Sequence, residues 1–427
     1  MFENYQQADD FLKNRAQYGM KPGLDRINTL LKLLGNPQKR IKAVHIAGTN
    51  GKGSTVQFLK HALMQNGYQV GVFTSPSFDG FPGHIFLNEQ MISDTNLTML
   101  LNEIQPYIEQ LDQEGNHPTE FEIITVAAFM YFAQVADIAL IEAGMGGRED
   151  TTNCFLPMLS IITNVAMDHT AFLGKTIEKI AYQKAGIIKE RTPVISGVGD
   201  GDALQVIKAE AHKNKAPLYL LNKDFTYTPI PETADEQVFV WKSEAIREVK
   251  VSLKVDGEHQ ERNASLAVKA LELLQSMGFN TKWDINLKAL NRTQIPGRFE
   301  KIHNNPIVIL DGAHNPAGVT AFVDTVTKNF PDYERHLIFA AFKDKDISNM
   351  LKMLVPHFTT VTLTTFDHPR AADIKQLRKY MDLNHVKVVG DWEETVSQLE
   401  DQQINRCYFF TGSLYFIKNV RKYFERF

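Results

Sequence analysis

A chain of 427 residues is too long for one ordinary hydrophobic core, so two domains are expected. With 43% hydrophobic and 22% charged residues and a net charge of −4, the composition is that of a globular protein and gives no strong field for nucleic acid or an anionic membrane. Only two cysteines, Cys154 and Cys407, argue against a disulfide scaffold and fit a reducing cytosol. The opening stretch MFENYQQADDFLKN lacks the apolar centre of a signal peptide, and the run FMYFAQVADIALIEAG is broken by Gln134 and Asp137. A cytoplasmic, non-membrane protein is the expectation.

In chain order, IKAVHIAG reads as a buried strand. STVQFLKHALMQNG follows as a helix, with apolar residues at 56, 58, 59, 62 and 63 and a closing Gly67. QVGVFTS is the next strand, then come two helical stretches near 95–113 and 120–134. DIALIEAG, LSIITN and TPVISG are further strands. This alternation predicts an α/β fold with a mostly parallel sheet covered by helices. Residues 217–258 carry short strand-like pieces with polar turns and read as a small antiparallel appendage. ERNASLAVKALELLQSMG is a helix ending at Gly278. At RTQIPGRFE the helical pattern stops, and Pro296-Gly297 marks a linker. A second strand–helix rhythm follows, in PIVILDGAHNP, RHLIFAAF, TTVTLTTF, VKVVG and RCYFFTG. The expected organisation is a P-loop-type domain over residues 1–295 and a smaller Rossmann-like α/β domain over 296–427.

VHIAGTNGKGST, residues 44–55, is glycine-rich and lies between a strand and a helix, the setting of a phosphate loop. It departs from the strict G-x-x-x-x-G-K-[ST] pattern, because Gly53 follows Lys52 and the hydroxyl comes only at Ser54. Gly48, Gly51 and Gly53 let the backbone turn its N–H groups toward an anion. Lys52 supplies a charge, and Ser54 or Thr55 can hold Mg²⁺ at the helix start, where the macrodipole also favours phosphate. ATP contacts are therefore expected from Thr49, Asn50, Gly51, Lys52, Gly53, Ser54 and Thr55. Glu142 closes an apolar strand, where α/β sheets bind ligands, and is a candidate Mg²⁺ ligand. Gly144, Gly146 and Gly147 allow close approach of a substrate, while Arg148 and Asp150 read equally well as a surface ion pair. Asp168-His169 follows another apolar strand. Lys184 sits on a mainly apolar helix and, by itself, reads as a snorkelling lysine. In the second half, Asp311, His314 and Asn315 converge before a helix starting near Pro316, a pattern that also reads as a turn with an N-cap. TGSLYF is another strand-to-helix turn that could face the same cleft.

HIAGTNGKGST, TSP, IEAGMGGREDTTN, DHT…LG, KAGIIK, PGRFE, DGAHNP and TGSLYF occur in this order from about residue 20 to the end. Together they resemble the folylpolyglutamate synthase/dihydrofolate synthase family of the Mur ligase superfamily. In that family the phosphate loop has glycine between lysine and hydroxyl, as Gly53 stands here. The resemblance implies that Lys52 holds the ATP phosphates, that Ser54 and Glu142 hold one Mg²⁺, and that His169 helps hold a second. Lys184 matches a lysine carbamylated in the family, so Lys52, His169 and Lys184 form the implied catalytic set. Asn263, Arg298, Asp311 and His314 match ATP-contacting positions; Ser75, Pro76 and Asp150 match positions on the folate or pterin side. Two stretches depart from the family. SPSFDGFPGHI has Ser77 for a histidine and Gly83-His84 for Glu-Arg, and QKAG replaces EKAG before the helix end.

The implied reaction is ATP-dependent amide ligation. A folate or dihydropteroate carboxylate takes the γ-phosphoryl group, and the amine of L-glutamate displaces phosphate from the acyl phosphate. The folate and glutamate sites are expected in an interdomain cleft of a monomer. A muramyl-peptide ligase is the first alternative, but it carries a UDP-binding domain before the loop, and only about 40 residues precede it here. A non-catalytic nucleotide-binding paralogue is the second; it predicts lost phosphate or metal ligands, and none is lost.

Overall fold

The computed structural model describes residues 1–19, 21–77, 79–233, 236–397, 399 and 405–426. Two compact units emerge. One is Met1–Pro231, Val238–Ser252 and Arg262–Thr293; the other is Glu232–Gln237, Leu253–Glu261 and Gln294–Phe427.

The strands of the first unit's main sheet are β1 (Ala43–Ala47), β2 (Val70–Phe73), β3 (Ile85–Leu87), β4 (Gln90–Met91), β5 (Ile138–Glu142), β6 (Leu159–Ile162), β7 (Val194–Ser196) and β8 (Leu218–Leu220). Its helices are α1 (Tyr5–Asn14), α2 (Asp25–Leu33), α3 (Lys52–Gln65), α4 (Asp94–Gln113), α5 (Glu120–Val135), α6 (Thr170–Leu173), α7 (Ile177–Ala185) and α8 (Asp202–Lys213), followed by α9 (Glu258–Ser276), which belongs to this unit from Arg262 on, and α10 (Trp283–Arg292). The sheet order is β4-β3-β2-β5-β1-β6-β7-β8, parallel from β2 through β8, with the β3–β4 hairpin antiparallel at one edge. β1 is wholly buried, as a central strand covered on both faces must be. Leu30, Leu101, Ile123 and Phe129 fill one face, and Ala181, Ile187, Leu204 and Ile207 fill the other.

The strand-like pieces of 217–258 do not form one appendage. β8 joins the main sheet parallel to β7, because Leu220 completes the apolar layer under α7 and α8. Only β9 (Phe225–Thr233), β10 (Glu236–Ser243) and β11 (Val249–Leu253) make the small separate sheet, around the buried Trp241 and Phe239. Helices α1 and α2 and the β3–β4 hairpin are additional to the elements expected from the sequence.

The second unit is a six-stranded sheet in the order β12-β13-β17-β14-β15-β16. These strands are β12 (Glu300–Asn304), β13 (Ile307–Leu310), β14 (Glu334–Phe339), β15 (Thr360–Leu363), β16 (Val386–Val388) and β17 (Arg406–Thr411). All pair in parallel except β12, which runs antiparallel to β13. Helices α11 (Pro316–Asn329), α12 (Ile347–Leu354), α13 (Ile374–Leu377), α14 (Trp392–Ser397) and α15 (Leu414–Phe424) cover it. Phe322, Phe339 and Phe409 centre the core on one face; Phe410 and Phe416 centre it on the other. Among the described residues, no helix is long and apolar enough to cross a membrane.

Candidate active site

β1 lies between β5 and β6, and the loops leaving β1, β2, β5 and β6 meet at their carboxyl ends, where open α/β sheets form ligand sites. The loop after β1 is stapled to the loop after β6. Thr49 N–H donates to the Asn164 carbonyl (3.1 Å), Asn50 N–H to Asn164 Oδ1 (2.8 Å), and Thr163 Oγ1–H to the Asn50 carbonyl (2.6 Å). Gly51, at φ 84°, starts α3 in a left-handed conformation that penalises a side chain. A Cβ there would also stand 2.3 Å from Asn263 Oδ1 on α9, so Asn263 packs directly on the loop. No side chain caps α3.

Lys52 folds back over its own loop. Its Nζ donates to the carbonyls of Gly48 (3.1 Å) and Thr49 (3.4 Å) and stands 3.9 Å from Glu142 Oε1. Glu142 ends β5 and is 4% exposed. Its Oε2 accepts a 2.6 Å hydrogen bond from Thr74 Oγ1, just beyond β2. Thr55 Oγ1–H is committed to the Gly51 carbonyl (2.9 Å), and among the described residues no such bond ties Ser54. Of the two hydroxyls left open by sequence, Thr55 is thus the one already engaged within the loop. Gly53 is helical, and a Cβ there would meet nothing closer than Glu142 Oε2 at 3.9 Å. The backbone does not require glycine at 53; glycine leaves room between the loop and the carboxylate.

Lys184, on α7, is not a snorkelling lysine: it is 3% exposed. Burial foremost, and then the charge of Lys52, push its amine down to about 7, with Asp168 and Asp150 opposing. Its helix end is covered by the glycine loop: Arg148 N–H donates to the Gln183 carbonyl (2.7 Å). A Cβ on Gly147 would lie 3.1 Å from the Lys184 carbonyl. His169 is left-handed (φ 50°) at the start of α6 and exposed, with Nε2 3.9 Å from Asp168 Oδ2.

Asp150 is no surface ion pair. It is buried, and its carboxylate turns into its own loop, accepting from Met145 N–H (2.7 Å), Thr152 N–H (3.0 Å) and Thr152 Oγ1–H (2.5 Å). Burial raises its pKa despite those bonds. Thr152 Oγ1, having donated to Asp150, accepts from His45 Nε2–H on β1 (2.9 Å). Arg148 pairs instead with Glu210 (2.9 Å). Ser75 and Pro76 follow Thr74 in a half-buried to exposed bend. In the same segment Ser77 Oγ–H donates to the Gly80 carbonyl, and a Cβ on Gly83 would stand 2.5 Å from Ser77 Oγ. Ser77 and Gly83, both within the stretch that departs from the family pattern, thus fit against each other.

The second unit gathers Arg298, Asp311 and His314 around one turn. Asp311 is buried, accepting from Phe299 N–H (2.9 Å) and Ala313 N–H (2.8 Å), and burial raises its pKa against the pull of Arg298. A Cβ on Gly312 would lie 2.3 Å from an Arg298 guanidinium nitrogen, so the guanidinium lies over Gly312. His314 Nδ1–H donates to the Gly312 carbonyl (2.7 Å). Asn315 caps α11, accepting from Gly318 N–H (2.8 Å). The TGSLYF turn packs on this one, with Gly412 N–H donating to the Ala313 carbonyl (3.0 Å).

Sequence reasoning missed Thr74, Thr163 and Asn164. Each follows a strand that was legible, and Thr74 opens the TSP motif, but nothing local assigns any of the three a role; their partners lie 68 to 114 positions away.

The Mur ligase middle-domain family matches residues 46–271, and the Mur ligase glutamate ligase domain matches residues 297–414. The class is thus that of Mur-type ligases. The Bacillus subtilis dihydrofolate synthase/folylpolyglutamate synthase is 40% identical over 99% of both chains, and the Lacticaseibacillus casei folylpolyglutamate synthase is 33% identical over 93% of both. A crystal structure of Mycobacterium tuberculosis folylpolyglutamate synthase, complexed with ADP and AMPPCP, superposes with TM-score 0.88 at 28% identity, covering 99% of this chain and 98% of that one. The chain belongs to the folylpolyglutamate synthase/dihydrofolate synthase family.

Proposed function

We propose that this protein adds L-glutamate to a folate carboxylate at the expense of ATP, with dihydropteroate as a second acceptor. The observation that carries this is the uncapped glycine loop whose Lys52 stands 3.9 Å from the buried Glu142, in a chain matched from end to end by such ligases. The acceptor carboxylate takes the γ-phosphoryl group, giving an acyl phosphate and ADP; the glutamate amine then forms the amide, and phosphate leaves with its bonding electron pair. Phosphoryl transfer of this kind needs positioning and charge neutralisation more than covalent help from the protein. Lys52 supplies fixed positive charge, and the loop N–H groups supply an anion-binding concavity.

Mg²⁺ fits the donor set. Ser54 and Glu142 offer hard oxygen ligands, and Gly53 leaves space before the carboxylate. Among the described residues no cluster of three or more His, Cys, Asp and Glu could form an all-protein cage. That suits an ion which keeps water and substrate phosphates as ligands. Bound there, it would offset phosphate charge. His169 is assigned to a second ion on the family pattern, as are Asn263, Arg298, Asp311 and His314 to ATP. The depressed amine of Lys184 supports carbamylation: a neutral nitrogen can add to the carbon of CO₂ and release a proton, leaving a carboxylate-like anion. Asp150 acts through its loop on this reading, shaping the pterin side. A single chain holds all these residues, so a monomer suffices.

ATP-dependent incorporation of labelled glutamate, measured in parallel with tetrahydrofolate and dihydropteroate, tests the reading. Product with both acceptors supports it; ATP hydrolysis without glutamate incorporation on either overturns it. Lys184→Ala should lose activity, with partial rescue by added formate or acetate; a silent substitution would reject the carbamate.

A further inference from the structure

Thr74 sits where two structural features of the site meet. Its hydroxyl donates to Glu142 Oε2 at 2.6 Å. Its backbone is gripped at both ends by His84: Thr74 N–H donates to the His84 carbonyl (3.1 Å), and the Thr74 carbonyl accepts from His84 Nδ1–H (2.7 Å). A carbonyl can only accept, so the His84 hydrogen is placed on Nδ1 by chemistry. The imidazole is held in turn by Phe73, stacked at 5.9 Å, and Phe121, edge-on at 5.7 Å.

We propose that Thr74, locked by His84, is a positioning residue for Glu142. Glu142 is buried and Lys52 half-buried, and the two opposite charges stand 3.9 Å apart at Oε1. Left to itself the carboxylate gains by swinging onto the ammonium, since Coulomb attraction rises as distance falls in a low-dielectric site. Closing that pair would withdraw both groups from ligands. A hydroxyl donor on Oε2 holds the carboxylate off the lysine and leaves Oε1 directed across the loop. The arrangement has the form of an outer hydrogen bond that orients a ligating carboxylate. It also ties the carboxylate to the segment ending at Gly83-His84, where this chain departs from its family's pattern, so acceptor-side and phosphate-side geometry share one residue.

The inference rests on the proposed ligase reading. The test uses the full chain and Mn²⁺, a paramagnetic stand-in for Mg²⁺, titrated by electron paramagnetic resonance in the presence of ADP. Thr74→Val keeps the shape and removes the donor; Mn²⁺ affinity should fall about tenfold. ADP affinity without metal should stay within about twofold, the range of a change that spares the loop. Thr74→Ser keeps a hydroxyl and should restore native affinity. His84→Phe removes the Nδ1 donor and should shift affinity in the same direction by less. Native Mn²⁺ affinity in Thr74→Val, or equal loss in Thr74→Ser, overturns the assignment, as does a fall in melting temperature with unchanged Mn²⁺ binding. If Thr74→Val does not fold, Thr74→Ala takes its place with the same two outcomes. A native protein that binds neither ADP nor Mn²⁺ would instead remove the ligase reading itself.

Discussion

The turns at Gly48–Ser54 and at Asp311–Pro316 share a plan: parallel strand, polar turn, helix. They treat the helix start in opposite ways. α11 is closed by its own side chains, with Asn315 accepting from Gly318 N–H and Pro316 removing a donor at the first helical position. α3 starts at left-handed Gly51 with no side-chain cap, and its lysine folds over the loop carbonyls. One turn spends its polar groups on its own stability. The other has no side-chain cap and holds its cation over its own carbonyls, the setting that the proposed phosphate contact would use. The glycines mark the same contrast. At Gly51 a side chain is forbidden, whereas at Gly53 it is only absent.

The comparison breaks first at Lys52. Lys52→Ala should cut glutamate ligation by at least about 100-fold, in line with removing one preorganised stabiliser of developing charge. Its melting temperature should stay near native, since Lys52 contributes little packing. Unchanged turnover would reject the loop assignment. A second difference lies in the feeding strands: β1 carries buried His45, while β13 reads Ile-Val-Ile-Leu. Burial, with a smaller push from Lys189, lowers the His45 pKa to about 3. The neutral form is the folded form, so this contribution is complete above the ordinary histidine value and is lost as pH falls from about 6.5 toward 3. Its slope is at most about 1.4 kcal/mol per pH unit. Urea midpoints between pH 4 and 7 should therefore fall with acid, and less steeply in His45→Asn than in the native chain.

Two smaller effects sharpen the contrast. Asn315→Ala removes a true cap and should cost about 1 kcal/mol in chemical denaturation. Gly53→Ala removes a helical glycine without a clash. It should hold or raise stability by up to about 1 kcal/mol, while lowering turnover by filling the space before Glu142. Reduced stability with normal turnover in Gly53→Ala would invert the reading of that position.

Much of this architecture was legible. β1, β2, β5, β6 and β7 stood out as apolar runs of strand length, α3 showed a helical period, and α4 and α5 read as helical stretches, because those signals are local. β8 was assigned to the wrong sheet: three residues, Leu-Tyr-Leu, do not state which partner they pair with. The candidate site divides along the same line. Lys52, Glu142, Asp311 and His314 announced themselves by position after strands. Thr74 stood in the TSP motif with no role attached, and Asp150 and Lys184 invited surface readings.

The order of apolar runs and glycine turns by itself determined the α/β class, the phosphate-loop setting and the family resemblance, since each is written in residues a few positions apart. Tertiary structure alone decided which polar groups remain disposed to act. It committed the Thr55 hydroxyl to Gly51, turned Asp150 into its own loop, and buried Lys184 so that desolvation pushes its amine down to about 7. Hydrogen-bond partners and desolvation depend on segments brought together from across the chain, and no local pattern encodes them.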